Sequence, residues 1–180
     1  MRNFFITMLT AAILVAGAMQ SANAYTSALQ THIGDFKRVG NAQLKVMLWR
    51  VFDARLYSAT GQYDENAPFA LSLTYLRSLD GEQIVDKSIE EILDQAPQTD
   101  SNVISDWRNQ LAAIIPDVSK DTTITGIRTV EGYTRFYEGE TALGSINDPD
   151  FTRAFFDIWL GEKSSNPTLR SNLINMADAV

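Results

Sequence analysis

Cysteine is absent from this 180-residue chain, and histidine occurs once, as His32. The first absence removes disulfides and thiolate chemistry, although it does not by itself identify a compartment. The second makes any Ser-His-Asp system depend on a residue near the N-terminus, with no G-x-S-x-G elbow to accompany it. His32 reads more simply as a surface or edge-strand histidine. A metal site with one histidine and no cysteine would need a carboxylate cluster. Asp148 and Asp150 are better explained as charges at a helix N-terminus, where the dipole favours them. A glycine-rich phosphate loop is also missing. There is no basic run, and the formal net charge is -7, which repels phosphate backbones and argues against a nucleic-acid partner. The usual catalytic constellations are missing, and neither a cofactor nor a metal is expected.

Long apolar runs are scarce too, with one exception at the start. Arg2 and Asn3 precede an apolar stretch from Phe4 to Ala18, and Ala22, Asn23 and Ala24 form a small-x-small cleavage pattern. At about 15 residues, diluted by Thr7, Thr10 and Gly17, the stretch is short for a membrane span. The expectation is a signal peptide over 1–24, then one globular domain over 25–180, periplasmic or secreted, with no stable membrane span after cleavage. Hydrophobic residues make up 45% of the chain, enough for a core without covalent or metal staples.

What is present is organised around NDPDFTRAFFDIWLG, Asn147 to Gly161. Asp148 suits an N-cap and Pro149 the first helical position. Phe151, Ala154, Phe155, Ile158 and Trp159 then fall on one helical face, and Gly161 is expected to end the helix in the left-handed conformation. Such a stripe needs a broad apolar surface to lie on. Upstream, residues 36–46 and 47–57 read as two extended segments, with Gly40 marking a bulge. Pro68 to Arg77 is a third strand with near-strict alternation. Asp80 and Gln83 resemble a capping box opening a helix to Gln95, with Glu90, Glu91 and Asp94 as its solvated face. Thr99 or Asp100 caps another helix to about Ile115. Thr122–Val130 and Tyr133–Glu138 form a hairpin through Glu131-Gly132, and a short strand follows to about Ile146. Asn166-Pro167 opens a last helix to about Met176. Short turns between strands imply an antiparallel sheet, and four amphipathic helices imply a layer packed on one face of it. The class is α+β, two layers.

One polar pattern stands out. Arg55 and Tyr57, Tyr75 and Arg77, and Arg135 and Tyr137 are each two apart on a strand and so share a face. If those faces pointed between sheet and helices, three guanidiniums and three phenols would surround a site suited to a carboxylate. The same residues also suit an exposed sheet face, with Asp53 beside Arg55 as an ion-pair partner.

Taken together, Leu44–Tyr57 (LKVMLWRVFDARLY), Pro68–Arg77 (PFALSLTYLR), Glu82–Ile92 (EQIVDKSIEEI), Thr134–Ile146 (TRFYEGETALGSI) and Asp148–Leu173 resemble the bacterial chalcone isomerase-like domain family. The resemblance covers nearly all of the chain after the leader. It implies an open-faced β-sandwich, a large antiparallel sheet carrying a helical layer. Plant relatives include chalcone isomerases, which cyclise a chalcone to a flavanone, and fatty-acid-binding proteins that hold a carboxylate with an arginine and a tyrosine. In the plant enzymes a threonine, a tyrosine, an arginine, an asparagine and a second threonine surround the substrate. The resemblance puts the tyrosine and asparagine at Ile84 and Glu91 and the second threonine at Ile158. The first threonine falls near Phe52 and the arginine near Ala42. None of the five types is kept, and an isoleucine cannot donate a hydrogen bond to an oxyanion. The resemblance therefore implies the scaffold without chalcone chemistry. The leading expectation is a non-catalytic periplasmic domain that binds a small apolar or carboxylate ligand such as a fatty acid. Arg55, Tyr57, Tyr75, Arg77, Arg135 and Tyr137 are the candidates for its polar end. The alternatives are an isomerase (an intramolecular lyase) acting on an unknown substrate, and a periplasmic protein-interaction module.

Overall fold

The computed structural model describes residues 27–47 and 49–174, so the expected signal peptide lies outside the described residues. Six strands follow one another as an antiparallel meander: β1 (Lys37–Val46), β2 (Trp49–Ser58), β3 (Phe69–Tyr75), β4 (Thr123–Arg128), β5 (Thr134–Glu138) and β6 (Thr141–Ile146). The register slips between Arg38 and Gly40, so the glycine does mark a bulge. Gly132 (φ 80°) and Gly139 (φ 58°) make the later turns with backbone that favours glycine.

Residues 27–33 are helical and are called α1. The others are α2 (Gly81–Gln95), α3 (Ser101–Ala112), α4 (Pro149–Leu160) and α5 (Pro167–Leu173). Asp100 caps α3, and Asn166 caps α5. The Asp80–Gln83 capping box is not made: the Asp80 side chain accepts no cap bond. Asp117, from the loop after α3, takes the Gly81 N–H instead at 2.8 Å. The last helix stops at Leu173, and 175–180 lie outside the described residues.

Strand parity decides where the core lies. Phe52, Ala54 and Leu56 of β2 and Leu71, Leu73 and Tyr75 of β3 face the layer made by α2 to α5 and share one core with it. The central helix of that layer is α4. Asp148 accepts from the Asp150 and Phe151 N–H groups, as expected of an N-cap, and also from the Trp107 indole of α3 at 2.8 Å. Phe155 stacks on Phe151 (5.5 Å between centroids) and meets Phe136 of β5 edge-on at 5.3 Å. Each such pair adds about 0.5–1.5 kcal/mol beyond area burial. Phe156 and Leu160, outside the expected stripe, are buried as well, because α4 is wedged between the sheet and its neighbouring helices.

Gly161 corrects an expectation. It is extended (φ -70°, ψ 153°) rather than left-handed. Ser164 Oγ donates to the Ile158 carbonyl and Arg170 Nε to the Leu160 carbonyl, each within 2.8 Å. Those side chains satisfy the helix end that a left-handed cap would otherwise serve.

The opposite face of the sheet is partly covered. Leu29 and Ile33 of α1 pack on Ala70 and Ile127 as a second, small core. His32 is therefore a helical residue, sharing a hydrogen bond with Tyr137 Oη at 2.8 Å. Burial and the nearby Arg135 charge lower its pKa, against a smaller opposite effect of Glu131.

Candidate functional site

A cavity of about 580 Å3 opens between the sheet and the helical layer. Its floor is Leu44, Val51, Phe52, Leu73 and Tyr75. Its roof is Ile84, Ser88 and Glu91 of α2 with Ile158 and Trp159 of α4. Lys45, Val46 and Met47 from the β1 end and Ser164 to Asn166 from the loop before α5 complete the wall. A void of about 40 Å3 lies against it and shares Leu73, Tyr75, Ile84, Ser88 and Trp159. The alternation of the strands aims Phe52 and Leu73 at the helices, where Ile84 and Ser88 of α2 face them across this space.

Several polar groups at the cavity are already engaged. Ser88 Oγ donates to the Ile84 carbonyl, Ser164 Oγ to that of Ile158, and Asn166 Oδ1 accepts from Leu169 N–H. The Tyr75 hydroxyl has no hydrogen-bond partner among the described residues, and burial pushes its pKa up to about 12. It is a neutral donor in an apolar chamber. Lys87 Nζ lies 3.1 Å from both Glu90 Oε1 and Glu91 Oε1. Partial burial disfavours its charge, but those two carboxylates outweigh this and raise its pKa. Glu91 Oε2 is buried without a hydrogen-bond partner among the described residues. With its side chain only 13% exposed, Glu91 does not belong to a solvated helix face as its charge had implied. Its place seven residues after Ile84, on the same side of α2, was the available signal.

The three arginine–tyrosine pairs do not converge. Tyr75 alone of the six lines the cavity. Arg55 and Tyr57 alternate with Phe52, Ala54 and Leu56, so they stand on the other face of the sheet. Arg135 and Tyr137 stand there too, beside Ile127 and α1. Arg55 and Tyr137 occupy one row, linked through Ser72 and Thr125, which puts their backbones roughly 14 Å apart at normal strand spacing. Arg77 lies past the end of β3 with its guanidinium 5.7 Å from the Trp49 ring centroid. Asp53 accepts from Gln43 on β1 at 2.6 Å rather than serving Arg55.

The positions implied by the plant enzymes fare differently. Phe52, Ile84, Glu91 and Ile158 all line the cavity, whereas Ala42 is buried away from it. Among the described residues no cluster of His, Asp or Glu could hold a metal, and no helix is long and apolar enough to cross a membrane.

Residues 44–175 match the family described as chalcone isomerase-like. An uncharacterised protein of Haemophilus influenzae is 29% identical over 138 residues, which is 76% of this chain and 66% of that protein's length. Among solved structures, a fatty-acid binding protein of Arabidopsis thaliana superposes with a TM-score of 0.61 at 10% identity, over 79% of this chain and 88% of the other. At that identity the likeness is one of fold.

Proposed function

We propose, since this chain belongs to the chalcone isomerase-like family, that it is a non-catalytic binding domain of the periplasm or the cell exterior. Its ligand is a small molecule with an apolar body, such as a fatty acid. The cavity of about 580 Å3 between the sheet and α2/α4 carries this reading. Its size is that of small-molecule sites, roughly 300–1,000 Å3, and like them it combines apolar walls with a few polar groups. An alkyl chain inside gains about 0.8 kcal/mol per methylene removed from water. The carboxylate stays at the mouth near Lys45, where desolvation is least. The Tyr75 hydroxyl offers one hydrogen bond further in.

The absence of chemistry rests on the same walls. Where the plant enzymes polarise an oxygen, this cavity presents Phe52, Ile84 and Ile158, and loss of one such donor costs on the order of 3 kcal/mol of transition-state stabilisation. The fold likeness to a fatty-acid binding protein supports the same reading.

Native mass spectrometry of protein purified without detergent tests it. The expected spectrum contains an adduct of fatty-acid mass that Ile84→Trp, which fills the roof, largely removes while the circular dichroism stays unchanged. Apo protein that takes up no added fatty acid would reject the proposal.

A further inference from the structure

Three large apolar side chains are exposed together at the β1–β2 turn: Val46 at 54%, Met47 at 91% and Trp49 at 67%. Val46 pairs with Trp49, so the strands are joined by the two residues 47 and 48, and Leu48 lies outside the described residues. Two-residue hairpins favour Asn or Gly because the loop needs positive φ. Here Met47 adopts φ 54°, a left-handed conformation that disfavours a residue bearing a side chain. Apolar bulk thus occupies a position where backbone preference asks for Asn or Gly and burial gives no return.

The charge around the tip is the second observation. The chain carries a formal charge of -7, yet Lys45 and Arg50 bracket the tip with no acid between them, and Arg77 lies over the Trp49 ring. The third is position. Lys45, Val46 and Met47 also form the cavity mouth.

We propose that this hairpin tip docks the protein on an anionic lipid surface. Met47 and Trp49 enter the interfacial region, Lys45, Arg50 and Arg77 meet the headgroups, and the cavity mouth is held against the bilayer. The idea rests on the apolar-ligand reading and names where such a ligand is exchanged: between membrane and cavity, without crossing water. An amphipathic tip of this kind combines apolar insertion with electrostatic attraction, and each near-surface cation contributes about fivefold in partition.

The test is flotation of the protein, expressed from its whole sequence and taken as the host processes it. One vesicle set is phosphatidylglycerol with phosphatidylethanolamine, the other phosphatidylcholine alone. The anionic set is expected to carry the protein and the neutral set to leave it behind, with recovery falling as salt rises. Trp49→Ser should weaken partition roughly tenfold, and Arg50→Gln/Arg77→Gln by about fivefold per charge. These three residues lie outside the cavity, so each variant should still take up a fluorescent fatty acid in solution. No flotation with the anionic set, or flotation indifferent to both variants, would overturn the proposal. So would a concentration-dependent dimer lost in Trp49→Ser without vesicle binding, which assigns the tip to a second copy. Flotation without probe uptake would reject the cavity reading and uphold the docking surface.

Discussion

Replacing Asp148 by alanine should destabilise the protein by about 2–4 kcal/mol, and the sum can be worked from two contacts. The side chain caps α4 through the Asp150 and Phe151 N–H groups, a role worth about 1 kcal/mol. It is also the acceptor for the Trp107 indole at 2.8 Å. Trp107 is only 4% exposed, so alanine strands a buried donor at a further cost of about 1–3 kcal/mol. For a chain of this length each kcal/mol moves Tm by roughly 2–4 °C. Asp148→Asn keeps one acceptor for the helix N–H groups but turns an NH2 toward the Trp107 indole where Oδ2 accepted, so it should still lose about 1–3 kcal/mol, less than alanine by the share of the cap. Urea unfolding followed by circular dichroism measures all of these. The cycle with Trp107→Phe should show a coupling of at least about 1 kcal/mol. A loss below about 0.5 kcal/mol in Asp148→Ala, or equal losses in the Asn and Ala variants, would refute the reasoning.

Gly40→Ala should destabilise by about 1–3 kcal/mol in the same assay, because a Cβ there would collide with the Asn172 and Leu173 carbonyls where α5 rests on β1. Burial raises the Asp157 pKa, aided by Glu65 and opposed by Arg153 and Arg170. The folded state therefore holds this proton when the unfolded chain has released it, and stability falls as pH rises above the ordinary carboxyl range. Asp157→Asn should raise Tm at pH 7 and lose that advantage near pH 3. For Tyr75, raised to about 12 by burial, the phenol favours folding fully below pH 10, and that advantage is lost between about pH 10 and 12. Tyr75→Phe should remove roughly 3 kcal/mol of alkaline sensitivity over that window; identical alkaline unfolding curves would contradict it.

The element order was legible because punctuation and periodicity agreed. Asp148-Pro149 and Asn166-Pro167 open α4 and α5 where local chemistry predicts, and Gly132 and Gly139 turn where a left-handed backbone is needed. The site was less legible, because a period of two says which residues share a face but not which face is covered. For β2 the answer lay in the other parity. Phe52, Ala54 and Leu56 are all apolar, so theirs is the covered side and Arg55 and Tyr57 had to face away. Tyr75 offered no such contrast, since β3 is buried almost throughout. The α1 segment eluded the periodicity, since over its described residues it makes two turns with only Leu29 and Ile33 buried. Glu91 was misplaced because charge was weighed without its position over the cavity.

A crystal structure with a bromine-labelled fatty acid would test the central claim most directly. The account predicts an anomalous peak between Leu73 on the sheet and Ile84 and Ile158 on the helices, with the carboxylate near Lys45. A peak on the opposite face beside Arg55 or Tyr137, or a cavity left empty at saturating ligand, would contradict it.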